Sequence, residues 1–343
     1  MDTHKRNTIL FFFFATVLVL LFFMNISFGS ISIPFKDVAT SLTGGQASKT
    51  TWEYIIMNYR LPKAITAILA GMGLSISGLL MQTLFRNPLA GPYVLGLSSG
   101  ASLGVAFVIL GAGILPAFLT PFLLSAYGVV IASTIGSSLV LLAVLFVSQK
   151  LRDTMAILIV GLMFGSFTSA IVGVLSYMST AEQLQKFTFW SMGSLGNLSW
   201  PSVFVLAVCV IIGLILSVVS IKPLNALLLG ENYARSLGLD YQKSRLIIIV
   251  ATSILAGSIT AFAGPIAFVG LAVPHLAKLT FQTSNHTILF WSTLIFGGSI
   301  MLICDLLSEI PSLNLSLPIN AITSIIGAPM VIWLLVRKQK MIG

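Results

Sequence analysis

The chain has 343 residues, of which 57% are hydrophobic and 8% charged, with a mean hydropathy of +1.04. Soluble domains carry roughly 25% charged residues, so a water-soluble fold is excluded. The apolar runs are continuous, which also excludes a β-barrel of ~10-residue alternating strands. The formal net charge of +9 comes from 18 Lys/Arg and 9 Asp/Glu. In a polytopic chain that excess reads as topology rather than as nucleic-acid binding, because basic residues collect on the cytoplasmic side.

In chain order, ten segments are apolar enough to be membrane helices: 8–28, 60–84, 93–110, 120–148, 154–178, 200–220, 245–263, 265–281, 287–306 and 318–336. The first resembles a signal peptide in position, but its run from Ile9 to Met24 is long and no A-x-A site follows, so it is kept as a span. The eighth is short and interrupted by Pro274. Residues 187–199 are apolar and aromatic but too short to span, and read as a re-entrant or interfacial helix. With the N-terminus inside, the inner segments hold thirteen Lys/Arg: Lys5, Arg6, Arg86, Lys150, Arg152, Lys222, Arg235, Lys243, Arg245, Lys278, Arg337, Lys338 and Lys340. The outer segments hold five: Lys36, Lys49, Arg60, Lys63 and Lys186. This asymmetry predicts both termini in the cytoplasm. The whole chain, 1–343, reads as one transmembrane domain, all-α, with a cytoplasmic loop at 222–243 inside it.

No Asp, Glu, Lys or Arg occurs in 64–85, 87–149, 187–221, 246–277 or 310–336. A mid-bilayer charge costs ~2.5–3.5 kcal/mol on insertion scales, and proton-coupled carriers and intramembrane proteases tolerate it because their chemistry needs it. Asp305 and Glu309 fall near the outer end of the ninth span and read as interfacial. The sequence therefore predicts no proton relay and no catalytic residue. His275, near the inner end of the eighth span, reads as a polar group at a helix end. Cys209 and Cys304 read as small core residues, with no metal site. The dipeptide Gly-Lys never occurs, so there is no Walker A loop, and no cofactor is predicted in this chain.

Three patterns carry more information. The tetrapeptide ILAG occurs at 68–71 and 254–257, and the same offset carries Gly78 onto Gly264 and Pro88 onto Pro274. The second and seventh spans would run in opposite senses, which predicts an inverted repeat of helices 2–5 and 7–10. The third span reads GLSSGASLG over 96–104, with Gly96, Gly100 and Gly104 one turn apart. Dense helix packing explains this stripe; a pathway lined by Ser98, Ser99 and Ser102 is the alternative. In LLLGENYARSLGLD, 227–240, Gly230 can open a short helix and Gly238 can close it, with Glu231 and Arg235 paired at i,i+4. That helix is too short to span, and it offers Leu229, Tyr233 and Leu237 either to a partner or to nothing.

Four stretches together resemble one family, the FecCD-type permease subunits of ABC importers for iron–siderophore complexes, haem and vitamin B12. They are 60–104, 227–240, 263–278 and 318–335, and the resemblance extends from about residue 8 to 338. It implies a dimer of ten-helix subunits, a second permease copy being identical or a paralogue, in the bacterial inner membrane. It implies two ABC ATPase subunits that bind ATP and Mg, and a periplasmic or lipoprotein substrate-binding protein. Gly230, Glu231, Arg235, Ser236, Leu237 and Gly238 match the family's ATPase-coupling motif. Arg60 and Lys63 match a basic pair that meets the binding protein. Where many relatives carry a third basic residue, this chain has Glu309. The loop Arg86 to Tyr93, including Asn87, Pro88 and Leu89, is the implied inner gate. Iron–siderophore is the first expectation for ligand, with vitamin B12 and haem next. An ion-coupled secondary transporter and an intramembrane enzyme using His275 are the competing readings.

Overall fold

A computed structural model describes residues 3–29, 31–113, 118–150, 154–196, 198–310 and 315–339; Arg152 and Lys340 of the topology reading lie outside them. The chain is helical: α1 (Thr3–Ser27), α2 (Phe35–Leu42), α3 (Thr50–Ile55), α4 (Leu61–Leu84), α5 (Leu97–Ile109), α6 (Thr120–Leu123), α7 (Ala126–Lys150), α8 (Thr154–Met178) and α9 (Ala181–Ser191). Then follow α10 (Trp200–Val219), α11 (Ile221–Leu227), α12 (Glu231–Ser236), α13 (Tyr241–Ala263), α14 (Val269–Phe281), α15 (His286–Ser308) and α16 (Ile319–Gln339). Between α15 and α16, β1 (Glu309–Ile310) and β2 (Leu315–Ser316) form an antiparallel pair.

Seven segments among the described residues are long and apolar enough to cross a membrane: α1, the continuous α3–α4 stretch, α7, α8, α10, α13 and α15. Three shorter apolar helices, α5, α14 and α16, occupy the remaining positions of the ten read from sequence. α5 and α14 are short for the same local reason. Each follows an Ala-Gly-Pro segment (90–92 and 263–265) and starts after a residue in the left-handed region, Gly96 at φ 73° and Phe268 at φ 65°. The order long, short, long thus recurs in α4–α5–α7 and α13–α14–α15, as the repeat requires. A single offset does not describe it. Pro88 lies in the loop after α4, whereas Pro274 lies inside α14.

The chain divides into two compact units. One comprises Met1–Ile76, Ser194–Val208 and Ile266–Gly343. In it α1 lies against α15, tied by the Asn25 Nδ2 to Asp305 Oδ2 hydrogen bond of 2.8 Å. α4 meets α15 at Gly71, where an added Cβ would lie 2.1 Å from the Gly297 carbonyl oxygen. The other unit comprises Ser77–Gly193 and Cys209–Pro265. There the glycine stripe of α5 packs on α7: a Cβ on Gly100 would sit 2.6 Å from Gly136 O, and one on Gly104 2.0 Å from Ala132 O. The two ILAG segments are used alike, since Gly71 of α4 faces α15 and Gly257 of α13 faces Ser137 of α7. In each unit the first helix of one repeat leans on the third helix of the other.

One sequence expectation is corrected. The short helix before the sixth span begins at Ala181, six residues earlier than read, because Thr180 and Gln183 form a reciprocal capping box. Asp305, placed near the outer end of the ninth span, lies in the last turn of α15 and is 2% exposed. Outside the spans, Ser48 donates from both N and Oγ to Asp37 Oδ1 at 2.7 and 2.6 Å. These two donors hold the Asp37 carboxyl below the usual carboxylate range.

Candidate functional site

The named residues fall into two clusters, one in each unit, taken in turn from the N-terminal end of α4. At the N-terminal end, a π-helical segment, Ile56–Arg60, joins α3 to α4 and places Arg60 at the junction. Arg60 is buried. Its Nη1 donates to the carbonyls of Ile26 at 2.7 Å and Ser27 at 2.9 Å, and its Nη2 donates to that of Ile31. Three residues on, Lys63 Nζ is 2.9 Å from Asp305 Oδ1 and also bonded to Glu309 Oε1. Gly29 fits between the two sides of this cluster: a Cβ there would lie 2.6 Å from Glu309 Oε2 and 2.8 Å from Arg60 Nη2.

The structure therefore brings Arg60, Lys63 and Glu309 together and adds two residues that the sequence reading did not assign, Asn25 and Asp305. Two cations and two carboxylates face one another within one chain, and only Glu309, whose side chain is 31% exposed, offers much surface. An unpaired charge buried in the protein is unfavourable, and the mutual pairing offsets that penalty. Glu309 has a partner in its own chain, Lys63.

At the C-terminal end, α4 stops in a Schellman turn. Asn87 N donates to Gln82 O at 3.1 Å and Arg86 N to Thr83 O at 3.2 Å, with Arg86 at φ 47°. Asn87 Oδ1 then accepts from Leu89 N at 2.9 Å, which shapes the Asn87–Pro88–Leu89 turn. The Arg86 Nη2 donates to Leu227 O at 3.1 Å and lies 3.3 Å from where a Gly230 Cβ would be. Gly230 has φ 115° and ψ 151°, a region open essentially to glycine alone, and this starts α12. A second Schellman turn ends it, with Gly238 at φ 81° and Leu239 N donating to Ala234 O.

α12 carries the expected pair, Arg235 Nη2 to Glu231 Oε1 at 2.6 Å. The same guanidinium lies over the Tyr241 ring at 5.5 Å, and Arg245 lies 5.8 Å from that ring centre. Tyr241, absent from the sequence reading, thus joins α12 to the start of α13. Ser236 turns its hydroxyl back onto Tyr233 O. Leu228, Leu229, Tyr233 and Leu237 are all exposed, between 49 and 64%. Such a cluster on a loop that is otherwise firmly braced fits a surface for a partner. Ser98 and Ser99 are half-buried on α5, and Ser99 Oγ is 3.4 Å from a Cβ placed on Gly165 of α8.

The FecCD transport family matches this chain over residues 17–337. The hemin transport system permease protein HmuU of Yersinia pestis is 33% identical over 329 residues, covering 96% of this chain and 95% of that one. The vitamin B12 import system permease protein BtuC of Klebsiella pneumoniae is 34% identical over 288 residues, 84% of each chain. Among solved structures, a metal-chelate type ABC transporter captured in an inward-facing conformation superimposes with a TM-score of 0.83 at 27% identity, over 96% of this chain and 99% of that one. With the helical order, the α12 loop and a match across nearly the whole length, the chain belongs to the FecCD transport family of ABC transporter permeases.

Proposed function

We propose that this chain is the membrane-spanning permease of an ATP-driven importer for a metal-chelate ligand. Iron–siderophore complexes are the first candidates, with vitamin B12 and haem next. The relatives that import hemin and vitamin B12 support the ligand class. The observation that carries the reading is the braced helix α12, with its exposed Leu229, Tyr233 and Leu237.

Two ABC ATPase subunits bind ATP and Mg and dock on Gly230, Glu231, Arg235, Ser236, Leu237 and Gly238 of a permease dimer. When the ATPases close, a push on α12 reaches α4 through Arg86 and Leu227, and α13 through Arg235 and Tyr241. The helices then alternate access between the two faces. A bulky ligand passes a route with no Asp, Glu, Lys or Arg in 64–85 or 87–149, held weakly and released. The Asn87–Pro88–Leu89 turn, which follows the Arg86 that reaches Leu227 O, forms the inner gate, and Ser98 and Ser99 line the route. Both termini are cytoplasmic, in the bacterial inner membrane. The substrate-binding protein meets the end of α4 that carries Arg60, Lys63 and Glu309. Because Asp305 and Glu309 already match those cations, this contact relies on shape and on Glu309 more than on a basic patch.

The test is a native pull-down in mild detergent with mass spectrometry. A stoichiometric ABC-type ATPase that is lost in Glu231→Arg supports the reading. No ATPase under several gentle extractions overturns it in favour of an ion-coupled carrier.

A further inference from the structure

At the N-terminal end of α1, a groove of about 380 Å³ opens between α1 and the start of α15, lined by Asn7, Thr8, Phe11, Phe281, Ile288 and Trp291. That volume falls within the ~300–1,000 Å³ of small-molecule sites. Its walls are almost wholly apolar, and its edge is not. Arg6 sits next to two of the lining residues, adjacent in sequence to Asn7 and bonded through Nη2 to Phe281 O at 3.2 Å, with Nη1 on Gln282 Oε1 at 2.9 Å. Two polar atoms there, Arg6 Nε and Asn7 Oδ1, are buried with no partner among the described residues. One is a cationic donor and the other an acceptor, on adjacent residues.

The surroundings restrict what could satisfy them. Lys5 is exposed on the same turn, Lys278 lies one turn before Gln282, and residues 278–291 contain no Asp or Glu. Beside the groove, Phe12 and Phe13 of α1 are 67 and 59% exposed, as expected of a helix facing hydrocarbon. Trp291, half-exposed at the rim, suits the boundary between hydrocarbon and headgroup. Basic pockets between membrane helices bind anionic headgroups.

We propose that this groove is a binding site for one anionic phospholipid. The headgroup phosphate accepts from Arg6 Nε, a headgroup hydroxyl donates to Asn7 Oδ1, and the first part of an acyl chain fills the space between Phe11, Phe281, Ile288 and Trp291. This requires only that the chain spans a membrane, and stands apart from the importer reading.

The experiment is native mass spectrometry of the full-length chain titrated with phosphatidylglycerol or with phosphatidylcholine of the same acyl chains. Wild type is expected to retain one phosphatidylglycerol with about fivefold preference, the factor of a single favourable cation–lipid contact. Arg6→Glu is expected to lose the preference. Ile288→Trp, which fills the groove and keeps Arg6, is expected to lose retention of both lipids, and stands alone as the test should Arg6→Glu not fold. Equal retention of the two lipids by wild type, or wild-type retention of phosphatidylglycerol by folded Ile288→Trp, overturns the proposal. So does a photo-crosslinker at Thr287 that captures a second protein chain in place of the lipid.

Discussion

Lys63 on α4 and Asp305 on α15 form an ion pair of 2.9 Å, and Glu309 closes on the same ammonium from the end of α15. Asp305 is completed by Asn25 of α1, so three helices share one cluster. Lys63→Met leaves two carboxylates facing each other with Asp305 almost fully buried. The expected loss is ~3 kcal/mol, the range for stranding a buried charge, read as a lower unfolding midpoint in detergent. The Lys63→Met/Asp305→Asn double variant is expected to lose less than the sum of the singles, because the two residues share one interaction. Additive losses would mean that the pair is not coupled.

At the other end of α4, exposure sets a different expectation. The Glu231–Arg235 pair is open to solvent, and exposed pairs contribute ~0.2–1 kcal/mol. Glu231→Arg or Arg235→Glu should leave the unfolding midpoint within that range while abolishing ATPase association and uptake. Unchanged uptake in both variants would count against docking at α12.

Arg86 holds a left-handed backbone that a residue with a Cβ adopts at a cost of order 1–3 kcal/mol. Arg86→Gly relieves that strain and removes the bond to Leu227 O. The variant is expected to remain as stable as wild type but to exchange amide hydrogens faster across 227–239. Arg86→Val keeps the strain and loses the bond, and should be less stable than Arg86→Gly. Unchanged exchange in Arg86→Gly would show that the guanidinium does not brace α12.

Close helix contacts supply a graded series. A Cβ on Gly104 meets Ala132 O at 2.0 Å and one on Gly71 meets Gly297 O at 2.1 Å, backbone atoms that cannot swing aside, whereas one on Gly173 meets nothing within 4 Å. Gly104→Ala and Gly71→Ala are expected to cost ~1–3 kcal/mol as overpacking. Gly173→Ala should be neutral or slightly stabilising, since alanine is the better helix former. Equal midpoints for all three would contradict the packing of α5 on α7 and α4 on α15.

Composition and periodicity determined that the chain is helical and membrane-spanning, and placed ten apolar segments, because long uncharged runs have no other stable form in a bilayer. The α12 helix was legible too, since its two glycines and its i,i+4 pair act within one turn. So was the close packing at Gly100 and Gly104, because small residues one turn apart are a local pattern. Only the tertiary structure decided the roles of Asp305, Asn25, Arg60 and Arg86. The sequence placed Asp305 only by its position near a helix end; its burial follows from Asn25 and Lys63, 280 and 242 positions away in the chain. Arg60 looked like a surface charge until the carbonyls of Ile26, Ser27 and Ile31 converged on it. The Arg86 guanidinium gave no sign of its partner, since it bonds to Leu227 O, 141 residues on. Local patterns specify helices and their ends; which charges neutralise each other is set by contacts between segments that the sequence keeps far apart.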